Sequence, residues 1–168
     1  GLDRDKLVTS QQEEIDKIAE EMQKLVSKTE DPEERTLKVK VTADGLKVTL
    51  FDRSRKPIFE KDSPELTKWG KFVLEGLSWI IERKRMTVSV EGYTSTGRPI
   101  LARGSNYGRW ELSCDRANSA RRALIEKGLA SDQKSIVRLT GFGDSVPLPD
   151  TVATAEENNR ITLNLNLK

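Results

Sequence analysis

The chain has no histidine and a single cysteine, Cys114, among its 168 residues. Without histidine a Ser-His-Asp triad cannot be assembled, and the usual zinc ligand sets are missing. One cysteine cannot close an internal disulfide, and with no histidine as its base it reads as a small buried filler rather than a nucleophile. Any catalysis would therefore have to run on carboxylates or lysine. No apolar run reaches the roughly 18 residues of a membrane span, and the strongest stretch, 72–81, is interrupted by Glu75. No signal peptide is visible, and Gly1 stands where a start methionine would be. The chain is thus expected to be a piece of a longer protein, with a targeting or membrane segment upstream. A dominant charge sign is also lacking: 29 Lys and Arg against 27 Asp and Glu leave a formal charge of +2. That balance supplies no broad field for a polyanion, so no nucleic-acid partner is expected.

What is present is one domain's worth of chain preceded by an arm. Over residues 10–28, Ile15, Ile18, Met22 and Leu25 recur three and four apart, which predicts an amphipathic helix with a narrow apolar stripe. The stripe is too short for a self-sufficient coiled coil, and docking on its own domain or on a second copy are both open. The polar run 29–34, with Pro32, predicts a linker. This divides the chain into an arm and linker, 1–35, and a domain, 36–168.

In the domain, Leu37, Val39 and Val41 and then Leu46, Val48 and Leu50 alternate with polar residues around Asp44-Gly45, a hairpin whose turn calls for the positive φ that glycine supplies. Ser63-Pro64-Glu65 reads as the start of a helix with Leu66, Trp69, Phe72, Val73, Leu77, Ile80 and Ile81 on its apolar face. Trp69 and Trp79 are expected in the core. Met86, Val88 and Val90 predict a third strand, 113–127 a helix stopped by Gly128, 136–140 a short strand, and the alternation of Ile161, Leu163, Leu165 and Leu167 a last one. Alternation in every strand places helices on one face of the sheet and solvent on the other. The expected fold is an α/β (α+β) two-layer sandwich, a mixed sheet with helices on one face, preceded by the amphipathic helix. Gly92, Gly141 and Gly143 read as turn devices at strand ends, and Gly141-Phe142-Gly143 lacks the following helix of a dinucleotide fingerprint.

Four segments carry a more specific signal: Val88-Ser89-Val90-Glu91-Gly92-Tyr93-Thr94, Trp110-Glu111-Leu112-Ser113-Cys114-Asp115-Arg116-Ala117, Gly141-Phe142-Gly143-Asp144-Ser145-Val146-Pro147, and Asn158-Asn159-Arg160-Ile161. In this order and spacing they resemble the OmpA-like family of peptidoglycan-binding domains over about residues 46–167. The Trp-Glu-Leu-Ser form resembles the branch found in flagellar motor stators. The resemblance implies a non-catalytic periplasmic domain, without cofactor or metal, that binds the stem peptide and glycan of peptidoglycan. It further implies a homodimer, tethered to the inner membrane by an upstream helix, that anchors a stator complex to the wall. The alternative is the same fold reused as a dimerisation or protein-interaction module in a motor or secretion assembly.

In the family, an aspartate after the Gly-x-Thr turn and an arginine in Leu-Ser-x-x-Arg-Ala hold the diaminopimelate of the stem. One acid and one base neutralise its ammonium and carboxylate, the arginine in a two-pronged match. Arg116 stands at the arginine position, expected in the first turn of its helix. Ser95 stands at the aspartate position, a departure that removes a charge. Arg109 replaces the asparagine usual before Trp110, for which Asn106 could substitute if its loop bulges, and the Asn-Arg-Arg run appears as Asn158-Asn159-Arg160. Thr94, Ser95, Asn106, Trp110, Arg116 and Arg160 are the expected peptidoglycan contacts, Trp110 as a platform for a sugar in a long polar loop. For an enzyme, only Glu91, Glu111 and Asp115 around the cleft offer carboxylates.

Overall fold

The computed structural model describes residues 2–26, 31, 34–127 and 135–167. The expected linker is described only at Asp31 and Glu34, and the stop at Gly128 lies outside the described residues. Two strands open the domain, β1 (Leu37–Val41) and β2 (Gly45–Phe51), paired antiparallel with Val41 opposite Leu46. Gly45 is not the positive-φ residue of their turn that Asp-Gly suggests; it begins β2. A side chain is forbidden there because a Cβ would lie 1.9 Å from the carbonyl oxygen of Leu165 on the neighbouring strand. The remaining strands are β3 (Met86–Tyr93), β4 (Ile136–Gly141) and β5 (Arg160–Leu167). The order is β1-β2-β5-β3-β4, with β3 and β4 parallel and the other pairs antiparallel, so the sheet is mixed as expected.

Helix α1 (Leu2–Gln23) begins well before Ser10, since residues 2–9 contain no glycine or proline to stop it. Ile15, Ile18, Met22 and Val26 are buried in the same cluster as Leu37, Leu46 and Leu77, and Leu25 packs over Gly76. Of the two outcomes left open for the stripe, the chain takes docking on its own domain, at about 1.5–3 kcal/mol per fully buried side chain before ordering costs. Gln23 adds a polar clasp. Its Nε2 donates to Leu37 O (3.1 Å) and its Oε1 accepts from Val39 N (3.2 Å), covering groups that an edge strand would otherwise leave open.

Helix α2 (Lys68–Arg83) is capped by Thr67, not Ser63: the Thr67 hydroxyl accepts from Gly70 N (3.0 Å). Residues before it first fold back in a bridge between Phe59 and Leu66, fixed by Thr67 N donating to Ile58 O. Val73, Leu74, Leu77, Ile80 and Ile81 face the core, whereas Phe72 (55% exposed) and Trp79 (63%) lie on the opposite stripe, against expectation. Helix α3 (Arg109–Lys127) starts earlier than the expected Ser113. Gly108 precedes it and Glu111 reaches back to accept from Gly108 N (2.8 Å), half of a capping box with glycine in place of serine.

The helices share one face of the sheet, and Ser78 Oγ on α2 donates to Leu124 O on α3 (2.5 Å). α3 sits unusually close to β3 and β4. A Cβ on Gly92 would meet Ser113 O at 2.1 Å, and one on Gly141 would meet Cys114 Sγ at 2.3 Å. These two glycines serve close packing rather than turns, while Gly143, at φ 58°, is the true turn residue. Cys114 is exposed, not a buried filler. The outer sheet face is open except at one end, where Phe51 lies under the guanidinium of Arg53 (4.7 Å).

Gly92→Ala is expected to push α3 off β3 and cost about 3 kcal/mol. An unchanged urea midpoint would contradict the contact.

Candidate binding site

A cavity of about 540 Å³ opens where β2 and β3 end, where β5 begins and where α3 passes. Its walls bring together Asp52, Ser95, Arg109, Arg116 and Asn159, residues distant in sequence. Arg116 lies two turns into α3, not in the first turn, so the amides of the helix start are not its neighbours. It is only 5% exposed and already bonded. Nε donates to Ser63 O (2.9 Å), Nη1 to Asp52 Oδ2 (3.3 Å) and Nη2 to Glu60 O (3.3 Å), with the guanidinium 4.7 Å from the centre of the Phe59 ring. A guanidinium has five N–H groups, so two remain, one on each terminal nitrogen, for a ligand in the cavity.

Asp52 is the acid that the motif comparison did not point to. Its Oδ1 accepts from Ile58 N (2.9 Å) and Phe59 N (3.2 Å) while Oδ2 takes Arg116. Burial pushes its carboxyl above the ordinary value, and Arg116 and the two amides oppose this only in part. Burial likewise lowers Arg116, against the pull of Asp52 and Asp62. The pair is therefore desolvated on both sides.

Ser95 is in the cavity wall, 9% exposed, and is tied to Asn159 twice: Ser95 N donates to Asn159 Oδ1 (2.9 Å) and Asn159 Nδ2 donates to Ser95 Oγ (3.0 Å). Two of the three departures named above therefore touch each other, a serine and an asparagine in a neutral reciprocal pair. On the far side, burial raises the Glu156 carboxyl, but bonds from Ser54 and the charge of Arg53 prevail and hold it below the usual value.

The other expected contacts are not among the cavity's lining residues. Thr94 is buried, its N–H donating to Gly143 O (2.8 Å) and its hydroxyl unpartnered. Asn106 is exposed in the turn before α3. Trp110 belongs to the first turn of α3 rather than to a loop, and lies over Gly143. Arg160 is buried under its own bonds, Nη1 to Asn158 O (2.9 Å) and Nη2 to Val146 O (3.0 Å), with its guanidinium 3.9 Å from the Tyr93 ring centre. The three carboxylates named above for an enzyme, Glu91, Glu111 and Asp115, are outside the lining as well: Glu91 accepts from Asn164, Glu111 from Gly108 N and Asp115 from Tyr107 Oη. Among the described residues no group of acids or cysteine is arranged to hold a metal ion.

Comparison with known proteins places these motifs in context. Residues 58–161 match the OmpA family. Motility protein B of Escherichia coli K12 is 27% identical over 157 residues, covering 91% of this chain and 49% of that protein. The chain thus spans about half the length of this curated relative. A MotB-like protein from Desulfovibrio vulgaris superposes with a TM-score of 0.74 at 17% identity, over 100% of both chains. The periplasmic domain of Helicobacter pylori MotB gives 0.63 at 20% identity, over 83% of this chain and 87% of that one. At these identities the structural matches speak to the fold.

Because Arg116 ties the carbonyls of Glu60 and Ser63 and the carboxylate of Asp52 to α3, Arg116→Ala is expected to weaken the fold itself, by about 3–5 kcal/mol, through the unpaired Asp52 it leaves behind. The double variant Asp52→Asn, Arg116→Ala should recover about 1–3 kcal/mol of that loss. Additive losses in urea titrations would show that the two side chains are not coupled.

Proposed function

The chain belongs to the OmpA family, and on that premise we propose that it is a non-catalytic, periplasmic wall-binding module that seats the stem peptide of peptidoglycan in the Arg116 cavity. The observation that carries this reading is the meeting of Ser95, Asn159 and Arg116, in or directly after three separate motif segments, in one cavity that also holds a carboxylate. The stem's diaminopimelate end is a zwitterion. Its carboxylate can take the two free N–H groups of Arg116, and its ammonium can be received by Asp52 Oδ2 and Ser95 Oγ. Asp52 thereby supplies the negative charge that Ser95 lacks, from the end of β2 instead of the loop after β3. The similarity to motility protein B supports a motor stator as the complex so anchored, with a membrane partner engaged through a segment outside this chain and with pairing of two copies.

A second reading, an interaction module that no longer holds the wall, is favoured by the neutral Ser95–Asn159 pair. Calorimetry with a soluble diaminopimelate-containing stem peptide separates the two. Wall binding requires a measurable affinity in the wild type and a stronger one in Ser95→Asp, where a charge-assisted contact adds about 1.5–3 kcal/mol, at moderate fixed salt. No binding by either protein would leave the interaction module.

A further inference from the structure

The outer face of the sheet carries a charge pattern that the fold does not need. Lys38 and Lys40 project from β1 and Lys47 from β2, all three exposed, and the strand register sets Lys40 directly opposite Lys47. Like charges facing each other across a strand pair are destabilising. Among the described residues no carboxylate relieves them: none of the three lysines takes part in an ion pair. Following the register outward from Lys40 and Lys47, the row continues through Asn164, Ser89 and Arg138 without an acid. In the adjoining row, which starts at Lys38, the acid is Glu91, on β3, and it accepts a hydrogen bond from Asn164 (2.6 Å).

This face runs into a second hollow of about 860 Å³, lined by Arg35, Lys38, Phe51, Arg53, Glu156 and Glu157 among others. Both glutamates there face Arg53, at 3.9 and 3.6 Å, and among the described residues no carboxylate forms an ion pair with Arg35 or Lys38. Arg53 and Glu156 also line the Arg116 cavity, so the two hollows share a wall.

We infer that the Arg35–Lys38 hollow and the lysines beside it form a second subsite, which takes a carboxylate- or phosphate-bearing stretch of the same wall polymer whose stem peptide enters the Arg116 cavity. This rests on the reading of that cavity given above. A polymer fixed by its stem at Arg116 is held next to the shared wall, and an anionic continuation crossing Arg53 meets cations that no described side chain pairs with. The lysines act at range and through salt-sensitive attraction, whereas the cavity acts by fitted hydrogen bonds.

The test uses the full chain with Lys38→Gln, Lys40→Gln and Lys47→Gln combined, positions outside the Arg116 cavity. Removing facing like charges should leave the melting temperature unchanged or higher, which checks folding. In co-sedimentation with purified sacculi at low salt the triple variant should bind about tenfold more weakly than wild type, with the gap closing at high salt. Its affinity for the soluble stem peptide should not change. Undiminished sacculus binding overturns the subsite, as does retention of sacculus binding with loss of binding only to vesicles of anionic phospholipid. A wild type that binds sacculi but no stem peptide overturns the cavity reading alone, since the lysine effect on sacculi still decides this one. A wild type that binds neither overturns both.

Discussion

The guanidinium of Arg116 gathers α3, the end of β2 and the loop before α2 at one point. From α3 it reaches the carbonyl oxygens of Glu60 and Ser63 and the carboxylate of Asp52, and so pins the connection between β2 and α2 against the helix that follows β3. Burying such a pair is not an efficient way to gain stability, because desolvation offsets the attraction. What it does secure is position. The same side chain fixes the cavity's walls and keeps two donors outside its own bonds, so under the proposed wall-binding reading a stem peptide would meet groups already in place.

That position depends in turn on two glycines and a polar clasp. Gly92 and Gly141 let α3 approach β3 and β4 at distances no side chain would allow, which sets where Arg116 emerges relative to Ser95. Asn159 closes the opposite side. Its side chain holds Ser95, and its carbonyl accepts from Asp52 N (2.9 Å), so one residue at the start of β5 fastens the ends of β2 and β3. At the other end of the sheet α1 shares the core through Ile18 and Met22, both fully buried. The arm and the cavity therefore rest on one continuous apolar layer, with the cavity at the strand ends and the arm at the β1 edge.

The strands and the two-layer arrangement were legible because alternation is a local signal that survives tertiary context. The start of α3 was less so. Gly108 and Glu111 do form a cap, but with glycine at the capping position the pattern resembles a loop that would include Trp110. Of the cavity's lining, Ser95 and Arg116 were legible, where motifs gave the positions, whereas Asp52 was not, since it joins them only when β2 and α3 meet. Thr94 and Arg160 are motif residues outside that lining, Thr94 bonded to Gly143 and Arg160 to Asn158 and over the Tyr93 ring. Ser95 and Asn159 read separately as two losses; in space they are one substituted pair.

On the proposed reading Arg116 is tie and receptor at once. Nuclear magnetic resonance of the side-chain Nε–H of Arg116, during titration with a soluble stem peptide that ends in both an ammonium and a carboxylate, tests it most directly. The Nε–H signal should stay slowly exchanging, held by Ser63 O, while the terminal guanidinium protons and the backbone amides of Ser95 and Asn159 shift on binding. Shifts confined to Trp110, Asn106 or Arg160, with Arg116 silent, would contradict the account and move the site elsewhere.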